Sequence, residues 1–269
     1  MNRNLFYFEM RRNFISFLAW TIAITLLVSV TMSVFPTFMQ NQSKVFGMMK
    51  LIPKSALQFK GISNISDLLS ILGFYAVNNV IYMMVLGSIF AIVLSSGILL
   101  KEEYGKTAEY LLTWPLTRGE VFFSKLAVVL LFIFLLNLAT SLAGFICLEI
   151  FKSSPFNIKA FLILSLYTFL LNLLFGSAGL FLSTLVKRAK PVTSFSIGLV
   201  LVLYFIYTIS KITESISNIG YLTPFKFVNV EVINPAYRLE FWRIAYFLGI
   251  TLLLLAISYR LYRRKDMYT

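Results

Sequence analysis

Residues 126–148 read LAVVLLFIFLLNLATSLAGFICL, which is 23 consecutive positions without a charged side chain. A helix that crosses the ~30 Å hydrocarbon layer of a bilayer needs about 20 largely apolar residues, because each residue adds ~1.5 Å. The apolar residues form a continuous run and do not alternate with polar ones, as they would in a strand of a membrane barrel. The stretch therefore predicts a transmembrane helix.

The rest of the chain repeats this pattern. The sequence is 59% hydrophobic and 13% charged, with a mean hydropathy of +0.83, unlike a soluble domain of 269 residues. Further uncharged stretches lie at 13–43, 68–100, 160–186, 191–210 and 244–259, and the last is flanked by aromatic and basic residues suited to the headgroup region. We predict an all-α integral membrane protein, a single transmembrane domain with six spans at 14–35, 72–100, 121–149, 159–186, 191–211 and 241–260.

The first residues combine apolar and basic side chains. Arg3, Arg11 and Arg12 lie among Leu, Phe and Met residues, which predicts a short interfacial helix over 1–14; a simple basic anchor is the alternative. A signal peptide would also begin with basic residues. The apolar run that follows is long for a signal peptide and no small-residue cleavage site comes after it, so we favour an uncleaved first span.

The distribution of Lys and Arg predicts the orientation. If both termini are cytoplasmic, the inner segments hold 14 basic residues in 53 positions and the outer segments hold 10 in 79. Eight of the ten Arg residues are then inside, as the positive-inside rule expects. The net charge of +13 therefore indicates membrane orientation and contact with anionic lipid, and we expect no nucleic-acid partner.

The sequence offers little for catalysis. It has no histidine, and Cys147 is its only cysteine, so the usual zinc, haem and iron–sulfur ligand sets and the Ser-His-Asp triad cannot be assembled. Gly105-Lys106-Thr107 resembles the end of a phosphate-binding loop, but the glycine required five residues earlier is Leu100. We expect no catalytic residues, no metal and no cofactor in this chain.

Polar residues inside the spans are few and uncharged. Without a charge in the central portions, a proton-coupled carrier, a voltage sensor or an ion-selective pore is disfavoured. Asn78, Asn79, Asn137 and Asn172 are explained best by hydrogen bonds between helices. The alternative is that Asn78, Asn137 and Asn172 lie on a substrate path.

The loop between the second and third spans carries more bulk than a simple turn needs. Residues 101–120 read KEEYGKTAEYLLTWPLTRGE, in which large apolar side chains stand among four glutamates. Pro115 ends the local helix, and Thr117 with Glu120 forms a capping box that begins the third span. An apolar ridge with an acidic rim predicts a coupling helix that docks on a soluble partner. Packing of Leu111, Leu112 and Trp114 on the bilayer interface is the alternative.

This loop resembles that of permease subunits in the ABC-2 class of ATP-binding cassette transporters. The matching residues, in order, are Glu103, Gly105, Thr107, Glu109, Leu111, Leu112, Pro115, Thr117, Arg118 and Lys125. Lys106 departs from the pattern, because it separates a Gly and a Thr that are often adjacent. The six spans and the broken segment before the last span also agree with this family.

The resemblance implies a partner, a mechanism and a location. It implies that the loop seats in a groove of a separate ATPase subunit, which binds ATP and Mg²⁺, and that two permease chains work together in a bacterial plasma membrane. The residues expected to dock are Glu102, Glu103, Tyr104, Glu109, Leu111, Leu112, Trp114, Pro115 and Arg118. Because the outer segments are small, we expect export of a hydrophobic or amphipathic substrate such as a peptide toxin, bacteriocin or drug. A structural or regulatory membrane subunit is the alternative, and a membrane-embedded enzyme is disfavoured.

Overall fold

The computed structural model describes residues 2–53, 57, 65–104, 117–186, 189–212 and 214–264. Within these ranges every regular element is helical. Six helical segments are long and apolar enough to cross a membrane, which confirms the predicted six-span all-α fold. We call them the first to sixth spans in chain order: Arg3–Gln40, Ile71–Leu100, Arg118–Phe151, Ile158–Leu185, Val192–Ile212 and Phe241–Arg264.

The first span corrects the prediction of a separate interfacial helix over 1–14. A single α-helix runs over Arg3–Ser33, followed by the short helix Phe35–Gln40. No glycine or proline interrupts the sequence between Arg3 and Ser33, so nothing breaks the helix. Leu5 and three residues at four-residue intervals after it are buried in one stripe, which continues further along the helix. The first turns therefore belong to the packed face of the first span.

The second span is the central one. In the most apolar stretch of the second span 78% of the residues are buried, against 11% in that of the first span. The second span packs most extensively on the fourth span. The two approach closely at Gly179, where an added Cβ would lie 2.5 Å from the backbone oxygen of Ile92. Two π-helical segments, Ala76–Val80 and Met83–Gly87, separate the α-helices Ile71–Tyr75 and Ser88–Tyr104. Such segments widen the helix locally.

One end of the bundle collects both ends of the described chain. Asn2 contacts the start of the third span at Ser124, and Arg118 contacts Arg263 near the end of the sixth span. The helix Ser88–Tyr104 and the third span are joined here by residues 105–116, which lie outside the described ranges. We call this the loop end of the molecule.

The opposite end is covered by short helices. The first span is followed by Gln42–Leu51, and a 3₁₀ helix, Ile65–Leu69, precedes the second span. Residues 214–240, which we call the cap, contain the 3₁₀ helices Glu214–Leu222 and Pro224–Phe227, divided at Thr223-Pro224.

The cap inserts between spans and does not merely cover their ends. Phe225 is fully buried, with its ring centroid 5.3 Å from that of Phe175 on the fourth span and 5.5 Å from that of Tyr204 on the fifth. Phe175 lies more than halfway along the helix Ile158–Leu185. The cap therefore reaches well into the bundle.

Candidate functional site

The predicted docking loop is partly inside the described ranges. Glu102, Glu103 and Tyr104 form the last turn of the helix Ser88–Tyr104, which extends the second span past its apolar part. The chain is described again from Thr117. Glu109, Leu111, Leu112, Trp114 and Pro115 lie outside the described residues, so their docking role remains a prediction.

The helix after the loop begins as the sequence predicts. Thr117 is the N-cap of the helix Arg118–Phe151, and its hydroxyl accepts a hydrogen bond from the backbone N–H of Glu120 at 3.2 Å. In return, the carboxylate of Glu120 accepts from the backbone N–H of Thr117 at 2.9 Å. This confirms the capping box, which satisfies two amides that a helix start leaves without partners. The loop is thus followed by a fixed helix start.

Arg118, one of the predicted docking residues, is held against the sixth span. Its guanidinium donates to the backbone oxygen of Arg263 at 3.2 Å. One turn further along, the ring of Phe122 packs between Tyr259 and Tyr262, with centroid distances of 5.4 and 5.7 Å. The start of the third span and the end of the sixth span therefore form one unit next to the loop.

The same region of the sixth span presents a basic groove. Arg260, Arg263 and Arg264 line it together with Tyr259, and its volume is about 540 Å³. The guanidinium of Arg263 lies 5.8 Å from the centre of the Tyr259 ring. This groove gives the loop end a positively charged surface.

The start of the first span packs on the other side of the third span. The side chain of Asn2 accepts from the backbone N–H of Leu5, which caps the helix Arg3–Ser33. The backbone N–H of Asn2 donates to the hydroxyl of Ser124 at 2.9 Å, and that hydroxyl donates back to the Asn2 carbonyl at 3.3 Å. These bonds fix the first turn of the first span to the third span.

A buried ion pair lies next to this contact, about two turns further along the first span. Glu9 on the first span and Lys125 on the third are both 0% exposed, with 3.5 Å between the carboxylate and the ammonium. The ammonium also donates to the backbone oxygen of Ile98 on the second span at 2.6 Å. Arg12 and Asn13 donate to the Glu9 carboxylate at 2.8 and 3.2 Å. One buried cluster therefore joins three spans.

The sequence alone does not reveal this cluster, because Lys125 belongs to the family motif and Glu9 to the segment expected to be interfacial. One signal was present: Glu9 is the only acidic residue in the first 66 positions, among basic and apolar neighbours. An isolated carboxylate next to an apolar span needs a cation.

Two of the three asparagines proposed for a substrate path come together near the middle of the bundle. The amide of Asn172 donates to the side-chain oxygen of Asn137 at 3.2 Å, and Ser88 donates to Asn172 at 3.2 Å. Asn137 in turn donates to the backbone oxygen of Ile133. The second, third and fourth spans are thus linked by hydrogen bonds, which is the helix-packing role that the sequence favoured.

The third asparagine lies elsewhere. Asn78 is on the π-helical segment Ala76–Val80, donates to the backbone oxygen of Phe74, and lines a cavity of about 380 Å³ between the first and second spans. Its neighbour Asn79 is fully buried, and neither amide atom has a hydrogen-bond partner among the described residues. The structure therefore separates Asn78 from the Asn137–Asn172 pair.

At the opposite end, Glu240 organises the junction between the cap and the sixth span. Its carboxylate accepts from Trp242 at 2.7 Å and lies 3.1 Å from the guanidinium of Arg243, while its backbone N–H donates to the hydroxyl of Tyr167 at 2.9 Å. Partial burial raises the pKa of Glu240, but the hydrogen bonds from Arg243, Trp242 and Asn229 outweigh it and lower the pKa below its ordinary value. Burial raises the pKa of the nearby Tyr237 phenol.

Within the described ranges no group of three or more His, Cys, Asp and Glu side chains is placed to hold a metal ion. The loop end instead brings together the two helices that flank residues 105–116, the start of the first span and the end of the sixth.

This fold and this junction define a polytopic α-helical membrane protein whose spans are tied together beside one loop. A sequence profile described as ABC-2 family transporter protein matches residues 8–267, nearly the whole chain. The chain belongs to this family, and it is a membrane subunit of a transporter. No curated protein matches the chain.

Proposed function

We propose that the chain is the permease of an ATP-driven exporter and that a separate ATPase subunit docks on residues 101–120. The supporting observation is how the two helices on either side of this loop are anchored in the bundle. The helix Ser88–Tyr104 leads into it, and the third span leaves it from a capping box at Thr117. Arg118 and the Glu9–Lys125 pair connect these two helices to the sixth and first spans, respectively. A force on the loop would therefore reach four of the six spans.

The loop end faces the cytoplasm in this proposal. The groove lined by Arg260, Arg263 and Arg264 lies there, and so do Arg3, Arg11 and Arg12 at the start of the first span. Basic residues are retained on the cytoplasmic side of bacterial plasma membranes, where they also contact anionic lipid. The ATP that drives transport is on the same side.

The substrate is a hydrophobic or amphipathic molecule such as a peptide toxin, bacteriocin or drug, and it moves outward through a pair of permease chains. The polar groups near the middle of the described spans are neutral: Asn137, Asn172 and Ser88 hydrogen-bond to one another. Such a core provides no fixed charge to bind an ion. The outward direction follows from the small outer segments, and the pairing of two permease chains follows from what the family resemblance implies.

The orientation is tested by labelling single cysteines in a Cys147→Ser background. Thr117→Cys places a thiol at an exposed position of the loop end, and Leu222→Cys places one at an exposed position of the cap. We expect a membrane-impermeant maleimide to label the cap cysteine in intact cells and the loop cysteine only in inverted vesicles. Labelling of Thr117→Cys in intact cells would contradict the cytoplasmic loop.

Docking is tested with the ATPase whose gene lies beside that of the permease. The variant Leu111→Asp/Leu112→Asp should weaken capture of the ATPase by at least about 30-fold, because losing apolar anchors at the centre of an interface costs roughly 2 kcal/mol or more. Tyr221→Asp/Leu222→Asp adds the same charge at exposed positions of the cap and should leave capture unchanged.

Transport is tested in inverted proteoliposomes that contain the permease and the ATPase. We expect ATP-dependent uptake of ethidium or of a fluorescent amphipathic peptide, and we expect Leu111→Asp/Leu112→Asp to abolish it. If the wild-type complex binds the ATPase but neither probe moves nor stimulates ATP hydrolysis, the exporter proposal fails for these substrate classes. A regulatory membrane subunit would then be the better explanation.

A further inference from the structure

The Glu9–Lys125 ion pair lies where the docking loop meets the first span. Lys125 is eight residues after Thr117, about 12 Å along the third span. Its other contact, the backbone oxygen of Ile98, is six residues before Tyr104, about 9 Å along the second span. One ammonium group therefore holds both helices that flank the loop, and it does so within a few turns of the loop itself.

The pair is a charged contact between these two helices and the first span. Glu9 accepts from Arg12 and Asn13 of its own helix, which leaves acceptor capacity on its carboxylate for a partner on another span. The contact with Lys125 at 3.5 Å adds the link across spans. Hydrogen bonds between Asn2 and Ser124 support the same junction near the end of the helix.

Stability alone is a poor reason for such a pair. Removing two charges from water costs free energy that their attraction repays only with good geometry, and apolar residues of similar volume often replace buried pairs without loss of stability. Buried charge pairs do, however, permit few alternative arrangements, since each partner is costly to leave unpaired. This pair therefore specifies how the first span packs against the two helices that flank the loop.

We propose that Glu9 and Lys125 are positioning residues that make the first span follow the docking loop during the ATP-driven cycle. The proposal rests on the proposed function, in which an ATPase moves the loop. The helix Arg3–Ser33 has 31 residues and is therefore about 46 Å long. A small displacement of the start of this helix, imposed at Lys125, would tilt the whole helix. The tilt would move the opposite end of the helix, which lies beside the cavity lined by Val30, Thr31 and Asn78.

The test removes both charges and leaves the shape. Glu9→Leu/Lys125→Met replaces the pair with apolar side chains, and Arg12, which is partly exposed, can turn toward water. The matched control is Glu149→Leu/Lys152→Met, because these residues form an ion pair at the other end of the same third span and both are exposed. Each variant is reconstituted with the ATPase in proteoliposomes of bacterial polar lipids.

The readout is the movement of the first span. In the Cys147→Ser chain, spin labels at exposed Ile22 and Leu222 report the distance between the first span and the cap. Labelled chains are kept a minority among unlabelled ones so that distances within one chain dominate. Capture of the ATPase and the rate of ATP hydrolysis are measured on the same samples.

We expect trapping with ATP and vanadate to change this distance in the wild-type complex and in the control. In Glu9→Leu/Lys125→Met the change should shrink at least fivefold, while ATPase capture and ATP hydrolysis stay within twofold of wild type. A change of wild-type size in this variant would overturn the proposal and reduce the pair to packing. If the wild-type complex fails to capture the ATPase, the proposed function fails instead.

A second variant covers the case in which the double variant does not fold. Glu9→Gln has the same shape as the native residue and keeps an acceptor for Arg12, but it lacks the charge that attracts Lys125. We expect it to fold and to at least halve the ATP-driven distance change without weakening ATPase capture. An unchanged distance shift in Glu9→Gln would also overturn the proposal.

Discussion

The two ends of the bundle are held together by different chemistry. At the loop end, a carboxylate and an ammonium are completely removed from water and connect three spans through Glu9, Lys125 and Ile98. At the opposite end, the ion pair of Glu240 and Arg243 remains partly exposed, and buried aromatic rings such as Phe225 fill the space between spans.

The ion pair at the loop end depends on a specific geometry, whereas the aromatic packing at the cap does not. A buried charge pair has one good geometry, and any separation leaves an uncompensated charge. Aromatic rings in contact can shift against one another and keep much of their burial, because apolar attraction depends on area and not on direction. We expect the loop end to move as a unit and the cap to slide or part from the fourth and fifth spans.

The largest effect should come from removing one charge of the buried pair. Glu9→Leu alone takes a buried carboxylate away from the cations Lys125 and Arg12, which should lower the free energy of unfolding by about 3–5 kcal/mol. Denaturant titration in detergent micelles, followed by tryptophan fluorescence, measures it. Glu149→Leu breaks an exposed pair on the same span and should cost less than about 1 kcal/mol. Equal costs for the two variants would remove the contrast between the ends.

A smaller effect is expected at the buried aromatic contact of the cap. Phe225→Leu keeps an apolar side chain but loses carbon atoms that are worth about 0.8 kcal/mol each, so unfolding should become easier by roughly 2 kcal/mol. The same titration measures it. Phe195→Leu, at an exposed position of the fifth span, is the control and should change little. A cost at Phe225 above that of Glu9→Leu would reverse the ranking of the two ends.

A still smaller effect should follow from the loss of one hydrogen bond below the cap. Tyr167→Phe removes the hydroxyl that accepts from the backbone N–H of Glu240, and a net cost of about 1 kcal/mol is typical of such a bond. Thermal unfolding in detergent should show a slightly lower midpoint. Tyr221→Phe changes an exposed tyrosine of the cap and should leave the midpoint where it is.

The smallest effect should appear as a pH dependence at Glu240. Its pKa in the folded protein is lowered, so its stabilising contribution is present above the unfolded pKa of about 4.3 and is lost as the pH falls through the folded pKa. Glu240→Gln should therefore be less stable than wild type at pH 7, by less than about 1 kcal/mol, and this difference should shrink as the pH falls below about 4.3. Unfolding midpoints at pH 7 and at successively lower pH values test this; a difference that does not shrink as the pH falls would assign the effect to packing.

The features that the sequence predicted are those set by neighbouring residues. The six spans follow from local hydropathy, and the capping box follows from Thr117 and Glu120, which are three residues apart. The prediction of a separate interfacial helix was wrong. It treats polar residues as exposed, whereas Glu9 and Asn13 lie on the buried stripe of the first span. Their burial depends on partners far away in the sequence.

The features that could not be predicted depend on which spans are neighbours. Nothing near Glu9 in the sequence indicates that Lys125 is its partner, and nothing near Phe225 indicates that it lies against Phe175. The asparagines share a chemistry that is visible in the sequence, but they do not share a place: Asn137 and Asn172 meet, whereas Asn78 does not join them. Hydropathy specifies that a segment crosses the bilayer and leaves its neighbours open.

The contact between the first and third spans also has a consequence for biosynthesis. Asn2 and Ser124 are 122 residues apart in the chain, and a ribosome that adds about 5–20 residues per second needs roughly 6–24 s to make that interval. During this time the Glu9 carboxylate has Arg12, one turn away, as its nearest cation. The first span therefore enters the bilayer with Arg12 as an internal counter-ion for Glu9, and it acquires Lys125 as a second cation only when the third span is inserted.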